Sequence, residues 1–186
     1  MSQSRVIALV GSLRADSVNR RLAETASSVA PEGVDVVVYD GLGDIPFYNE
    51  DIDVPGTIDS VEKLRTAVGD ADGLLLVTPE YNGTIPAVLK NAIDWLSRPY
   101  GVGAISGKPT AVISSSISGN AGKWSQADTV KAATVAGGSL VDDAHLAIGG
   151  VGEKFGDLHP RENAEVSGDI AKVVTALVDA GIAAAA

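Results

Sequence analysis

Residues 11–21 read Gly-Ser-Leu-Arg-Ala-Asp-Ser-Val-Asn-Arg-Arg, a concentration of groups suited to gripping an anion. Ser12, Ser17 and Asn19 donate hydrogen bonds from short side chains, and Arg14, Arg20 and Arg21 form a local cationic cluster in an otherwise acidic chain. The segment leaves a short apolar run and enters a stretch of helical period. The first turn of that helix therefore adds unpaired N–H groups and the positive end of its dipole. Such a loop can hold a phosphate through several charge-assisted hydrogen bonds. Helix capping by Ser17 accounts for one of these residues but not for Ser12, Arg14 and Asn19 together.

A second segment, Thr78-Pro79-Glu80-Tyr81-Asn82-Gly83-Thr84-Ile85-Pro86, is stiffened by two prolines and given one permissive position by Gly83. It can aim backbone N–H and C=O groups at the edge of a flat heterocycle, with Tyr81 as a rim and Asn82 as a paired donor and acceptor. Taken alone it reads rather as an ordinary Pro/Gly turn with Tyr81 on the surface. A third segment, residues 115–123, is rich in Ser, Gly and Asn.

Several chemistries are excluded. The chain has no Cys, so thiolate nucleophiles, disulfides and Cys-held metals are absent, and its two histidines, His145 and His159, fall outside these loops. No GxGxxG follows the first strand, no GxxxxGK[ST] occurs, and no GxSxG marks a nucleophile elbow. Asp51 and Asp53 sit in an acidic loop and read as solvated. No catalytic side chain and no metal site are expected.

The elements that must position these loops alternate regularly. Apolar or β-branched runs at residues 6–10, 34–39, 74–78 and 110–114 read as strands buried in a sheet. Residues 139–141 open a fifth whose extent is ambiguous. Helical periods follow from Ser17, over 59–71 with Asp59 and Glu62 spaced as a cap and its partner, over 86–96, over 125–136, and over 164–180. Residues 40–56 read as a long loop and 183–186 as a frayed tail. This order predicts an α/β parallel sheet with helices on both faces, whose ligands sit beyond the carboxyl ends of the strands.

At 186 residues the chain is expected to form a single domain. Its net charge of −10 argues against nucleic-acid and anionic-membrane partners. Without Cys, or an apolar stretch long enough for a membrane helix, it reads as a cytoplasmic protein.

The segments GSLRADSVNRRLA and PEYNGTIPAVLKNAIDWLSRP resemble the NADPH-dependent FMN reductase family, flavodoxin-like flavoproteins that include quinone, chromate and azo-dye reductases. The resemblance runs from Val6 to about Ser116. It implies a three-layer sandwich whose five-stranded parallel sheet has the order 2-1-3-4-5, with FMN at the switch point between the first and third strands. By position, Ser12, Arg14, Ser17 and Asn19 would hold the FMN phosphate. Pro79, Glu80, Tyr81, Asn82 and Gly83 would border the ring, with Ser116 beside them. It further implies an oxidoreductase that takes hydride from NADPH or NADH and reduces a small-molecule acceptor (a quinone, an azo dye, chromate or free FMN). The alternative is a flavodoxin-type electron-transfer module that oxidises no nicotinamide itself.

Such proteins form homodimers or homotetramers, and the helix carrying Trp95 would contribute to that contact unless Trp95 is core. The third loop departs from the family pattern, with Ile117 and Trp124 near the places of a proline and an arginine.

Overall fold

The computed structural model describes residues 3–185. Five strands, β1 (Ser4–Val10), β2 (Val34–Val38), β3 (Gly73–Pro79), β4 (Pro109–Ser115) and β5 (Ser139–Ile148), form one sheet. All pairings are parallel, as the alternation of elements predicts, and the order is β2-β1-β3-β4-β5, as the family resemblance implies. Among the described residues six α-helices connect or flank them: α1 (Val18–Ser28), α2 (Asp59–Gly69), α3 (Ala87–Leu96), α4 (Lys123–Val135), α5 (Val151–Phe155) and α6 (Ala164–Ala185).

Strand periodicity divides the core. Val6, Ala8 and Val10, with Leu75, Val77, Ala111 and Ile113, face α1, α5 and α6. Ile7, Leu9, Leu74, Leu76 and Val112 point the other way, against α2, α3 and α4. The three central strands are covered on both faces, which is why their sequences are continuous apolar runs rather than alternating ones.

Several details differ from the sequence expectations. The fifth strand extends to Ile148 because an irregularity lets Thr110 pair with Leu140 and Val112 with His145. Residues 141–144 thus fall outside the register and interrupt the hydrophobic period. Helix α2 is preceded by Ile58, not capped by Asp59. Glu62 instead accepts the N–H of Gly56 at 3.1 Å.

Within the loop 40–56 lie two short 3-10 turns, Leu42–Asp44 and Glu50–Ile52. Asp53 is not solvated, because Arg65 holds it through two contacts of 2.9 Å, with both side chains about 15% exposed. Residues 183–185 continue α6 rather than fraying, while residue 186 lies outside the described residues.

Trp95 is fully buried and belongs to the core, which removes it from any subunit contact. Its indole N–H donates to Pro46 O at 2.8 Å, and Tyr48 meets it edge-on at 4.9 Å.

Candidate functional site

The parallel sheet puts the ends of β1, β3 and β4 along one edge, and the three loops singled out in the sequence meet there. Gly11 is where two of them touch. A Cβ at this position would lie 3.2 Å from Pro79 Cδ and 3.3 Å from Pro86 Cγ and Leu89 Cβ. A glycine lets the first loop leave its strand this close to the second without displacing either proline.

From Gly11 the chain passes Ser12 and exposed Arg14 to Ser17, which caps α1 by accepting the N–H of Arg20 at 3.4 Å. Asn19 is only 6% exposed, and its carbonyl accepts the Ser115 hydroxyl at 3.1 Å. That bond joins the first turn of α1 to the end of β4.

The second loop is a tight hairpin. Tyr81 and Thr84 exchange backbone hydrogen bonds of 3.2 Å, and the two residues between them have positive φ, 52° at Asn82 and 75° at Gly83. An Asn-Gly pair suits that turn because both tolerate the left-handed region. The hairpin is fastened to α4 at several points. Glu80 accepts the N–H groups of Trp124 and Ser125 at 3.1 and 3.3 Å, and Asn120 Nδ2 at 3.5 Å. Ser125 Oγ donates to Pro79 O at 2.8 Å, and Thr84 donates to the Asp128 carboxylate.

The loops enclose a cavity of about 240 Å³. Ser12, Arg14, Ser17, Asn19, Pro79, Glu80, Tyr81 and Ser116 all line it, so most of the residues chosen from the sequence come together. Asn82 and Gly83 do not reach it and serve as the turn itself. Glu80 borders the cavity, yet its carboxylate is engaged by the start of α4, which therefore offers no free anion site.

Val18, Ser115, Ile117 and Val151 complete the wall; Ser115 and Ile117 lie in the third loop singled out in the sequence, though only Ser116 of it was chosen. Ser115 adjoins the chosen Ser116, but nothing in the sequence marks Val151, which the order of the sheet carries to this edge.

The expected arginine cluster is smaller than the sequence suggests. Arg20 grips Asp40 at 2.5 and 3.3 Å and Glu24 at 3.1 Å. Hydrogen bonding to Asp40 raises the Arg20 pKa, and the same contact lowers that of Asp40. Among the described residues, Arg14 and Arg21 make no ion pair. Arg14 is the one of the two on the cavity wall.

Tyr81 Oη reaches Ser12 Oγ at 3.5 Å across the mouth. Beyond Tyr81 lies a shallower apolar hollow of about 450 Å³, lined by Leu13, Pro86 and Val88 among others.

The donor set fits a phosphate ester. It combines hydroxyls, a buried amide, an uncommitted guanidinium and the first turn of a helix. At about 240 Å³ the cavity suits the phosphate and polyol chain of FMN, while the hairpin beside it offers a firm edge for a planar ring. Among the described residues no group of carboxylates and histidines is placed to hold a metal. None of the helices there is long and apolar enough to cross a membrane.

A family model described as NADPH-dependent FMN reductase matches residues 4–153. A quinone reductase of Pseudomonas putida is 47% identical over 115 residues, 61% of either chain. A 2-hydroxy-1,4-benzoquinone reductase of Burkholderia is 43% identical over 113 residues, again 61% of each. The chain thus spans about three-fifths of the length of these curated relatives. Among solved structures, the flavoenzyme NAD(P)H:(acceptor) oxidoreductase FerB of Paracoccus denitrificans superposes with a TM-score of 0.80 at 30% identity. That match covers 95% of this chain and 98% of the other.

Proposed function

From its membership of the NADPH-dependent FMN reductase family, to which this chain belongs, we propose that it is an FMN-dependent NAD(P)H oxidoreductase acting on quinone-type acceptors. FMN, when bound, supplies two-electron chemistry between a reduced nicotinamide and an acceptor. The chain supplies grip, orientation and an electrostatic setting. The observation that carries the reading is the convergence of Ser12, Arg14, Ser17 and Asn19 on one cavity at the switch point of the sheet.

Arg14 and the first-turn N–H groups of α1 would neutralise the FMN phosphate, with Ser12 and Ser17 adding neutral hydrogen bonds. Pro79, Glu80 and Tyr81, held by the start of α4, would fix the ring edge, with Ser116 opposite. Asn82 and Gly83 act by shaping the turn. Backbone N–H groups of that hairpin favour negative charge at the edge they face. No side-chain acid or base is assigned, because the reaction asks the protein mainly for position. Electrons arrive from NAD(P)H, and with one further proton a quinone leaves as its hydroquinone.

The acceptor class follows the quinone reductases named above. A homodimer or homotetramer in the cytoplasm completes the reading, supported by the family resemblance and the absence of cysteine. Any subunit contact would use exposed groups rather than Trp95.

The test is steady-state oxidation of NADH and NADPH by FMN-loaded protein with a benzoquinone present. Turnover of at least one nicotinamide with stoichiometric hydroquinone is expected. Protein that retains FMN yet oxidises neither would instead be an electron carrier.

A further inference from the structure

A second polar cavity, about 290 Å³, adjoins the first. Ser12 and Arg14 form the partition, since both line each cavity. The segment that follows β2 supplies further lining, with Tyr39, Asp40 and Gly43 among its residues. Asp40 is 70% exposed at its side chain and accepts from both Nη atoms of Arg20, whose Nε donates to Glu24. The charge of Arg20 is therefore already shared between two carboxylates. Arg14 is the cation of this cavity without such a partner among the described residues.

We propose that this second cavity seats the adenosine ribose of the reduced pyridine dinucleotide, and that Asp40 selects the dinucleotide lacking a 2′-phosphate. The inference rests on the reductase reading and adds the anchor and preference of its electron donor. A dinucleotide has two halves joined by a pyrophosphate, so a donor reacting beside the hairpin needs an anchor one pyrophosphate away. The cavity lies across a partition that presents a hydroxyl and a five-donor guanidinium, groups that bind bridging phosphates on either face. Its volume admits one nucleoside, not a whole dinucleotide.

A carboxylate has about four acceptor sites, so Asp40 can keep Arg20 and still accept the vicinal ribose hydroxyls. A 2′-phosphate would instead place two negative charges against Asp40, and in the FMN-loaded protein Arg14 already faces the flavin phosphate, which leaves no free cation in this cavity to offset them. Like charge in contact is a strong means of rejection. The site therefore favours NADH.

The experiment uses the full chain loaded with FMN and compares kcat/KM for NADH and NADPH. Wild type is expected to favour NADH by about tenfold or more, and Asp40→Asn to move the ratio toward NADPH by about tenfold. Gly43→Lys adds a cation on the same wall and should move it the same way. Its Cβ would meet only Leu13 methyl groups at 3.6 Å, so the fold accommodates it.

In parallel, ADP-ribose and its 2′-phosphate are titrated by saturation-transfer NMR against wild type and Asp40→Asn. The phosphorylated probe should gain affinity on the variant relative to the other. A wild-type preference for NADPH, or a ratio that neither variant moves beyond about twofold, overturns the inference. If wild type oxidises neither dinucleotide, the reductase reading fails and the probe titration decides this inference by itself. Unchanged relative affinities on the variant then overturn it.

Discussion

The Glu80 carboxylate accepts the backbone N–H of Trp124 at 3.1 Å, so a residue leaving the third strand closes the N-terminus of a helix that begins more than forty positions later. With the Ser125 bonds and the Thr84–Asp128 contact, it makes the hairpin and the start of α4 one rigid body. A loop so fastened holds its backbone still before any ligand arrives, and that spares the binding step an ordering cost.

Loosening the fastening should therefore weaken flavin binding. Thr84→Val removes the exposed link to Asp128 and leaves the cavity wall untouched. Loss of one hydrogen bond to a carboxylate is worth about 1.5 kcal/mol, or about tenfold in FMN affinity. Fluorescence titration with FMN measures it. Asp128→Asn, which keeps an acceptor oxygen, should lose less than Thr84→Val.

Gly11→Ala tests the crossing of the first two loops. Its methyl group would press on Pro79, Pro86 and Leu89 at 3.2–3.3 Å, and two of those neighbours are rigid rings. A loss of about 1–3 kcal/mol in unfolding free energy is expected, with weakened FMN binding because both loops must shift. Urea denaturation followed by circular dichroism gives the first quantity and FMN titration the second.

Asp53→Ala should destabilise the fold by about 3 kcal/mol, because it leaves the poorly exposed Arg65 guanidinium without its bidentate partner. Arg65 also donates to the Trp95 carbonyl at 3.2–3.3 Å and lies 3.8 Å from the more exposed Glu62 carboxylate, which compensate the charge only in part. Thermal unfolding of the two proteins at one pH is sufficient.

His145 gives a pH dependence with a definite sign. Burial lowers its pKa from the ordinary 6.5, outweighing the opposing effects of the Ala144 backbone and Asp142, and its Nδ1 has no partner among the described residues. Below pH 6.5 the unfolded chain takes up a proton that the folded chain resists. Stability should therefore fall as the pH drops from 6.5 through the folded value. His145→Gln should flatten the dependence of Tm on pH in that window while leaving other acid transitions in place.

What the sequence revealed, and what it hid, follows the range of the interactions. Ser12, Arg14, Ser17 and Asn19 were legible because a strand, a polar loop and a helix start lie contiguous in the chain, and that order alone places them at a sheet edge. The buried strands were legible for the same local reason. Hidden facts depend on distant partners.

Nothing local to Glu80 shows that its carboxylate is held by the N–H groups of Trp124 and Ser125. Arg20 looks like a free cation until β2 delivers Asp40. Asp53 looks solvated until α2 delivers Arg65. The fifth strand was obscured because residues 141–144 leave the register, breaking the alternation by which an edge strand is recognised.

The phosphate grip is tested most directly by titrating the flavin-free protein with FMN and with riboflavin, which share the ring and differ only in the phosphate. FMN should bind about a hundredfold tighter or more, a difference of about 3 kcal/mol from several charge-assisted hydrogen bonds. Arg14→Ala should remove a large part of that difference without weakening riboflavin. Equal affinity of the two flavins for wild type would contradict the assignment of the first loop as the phosphate site.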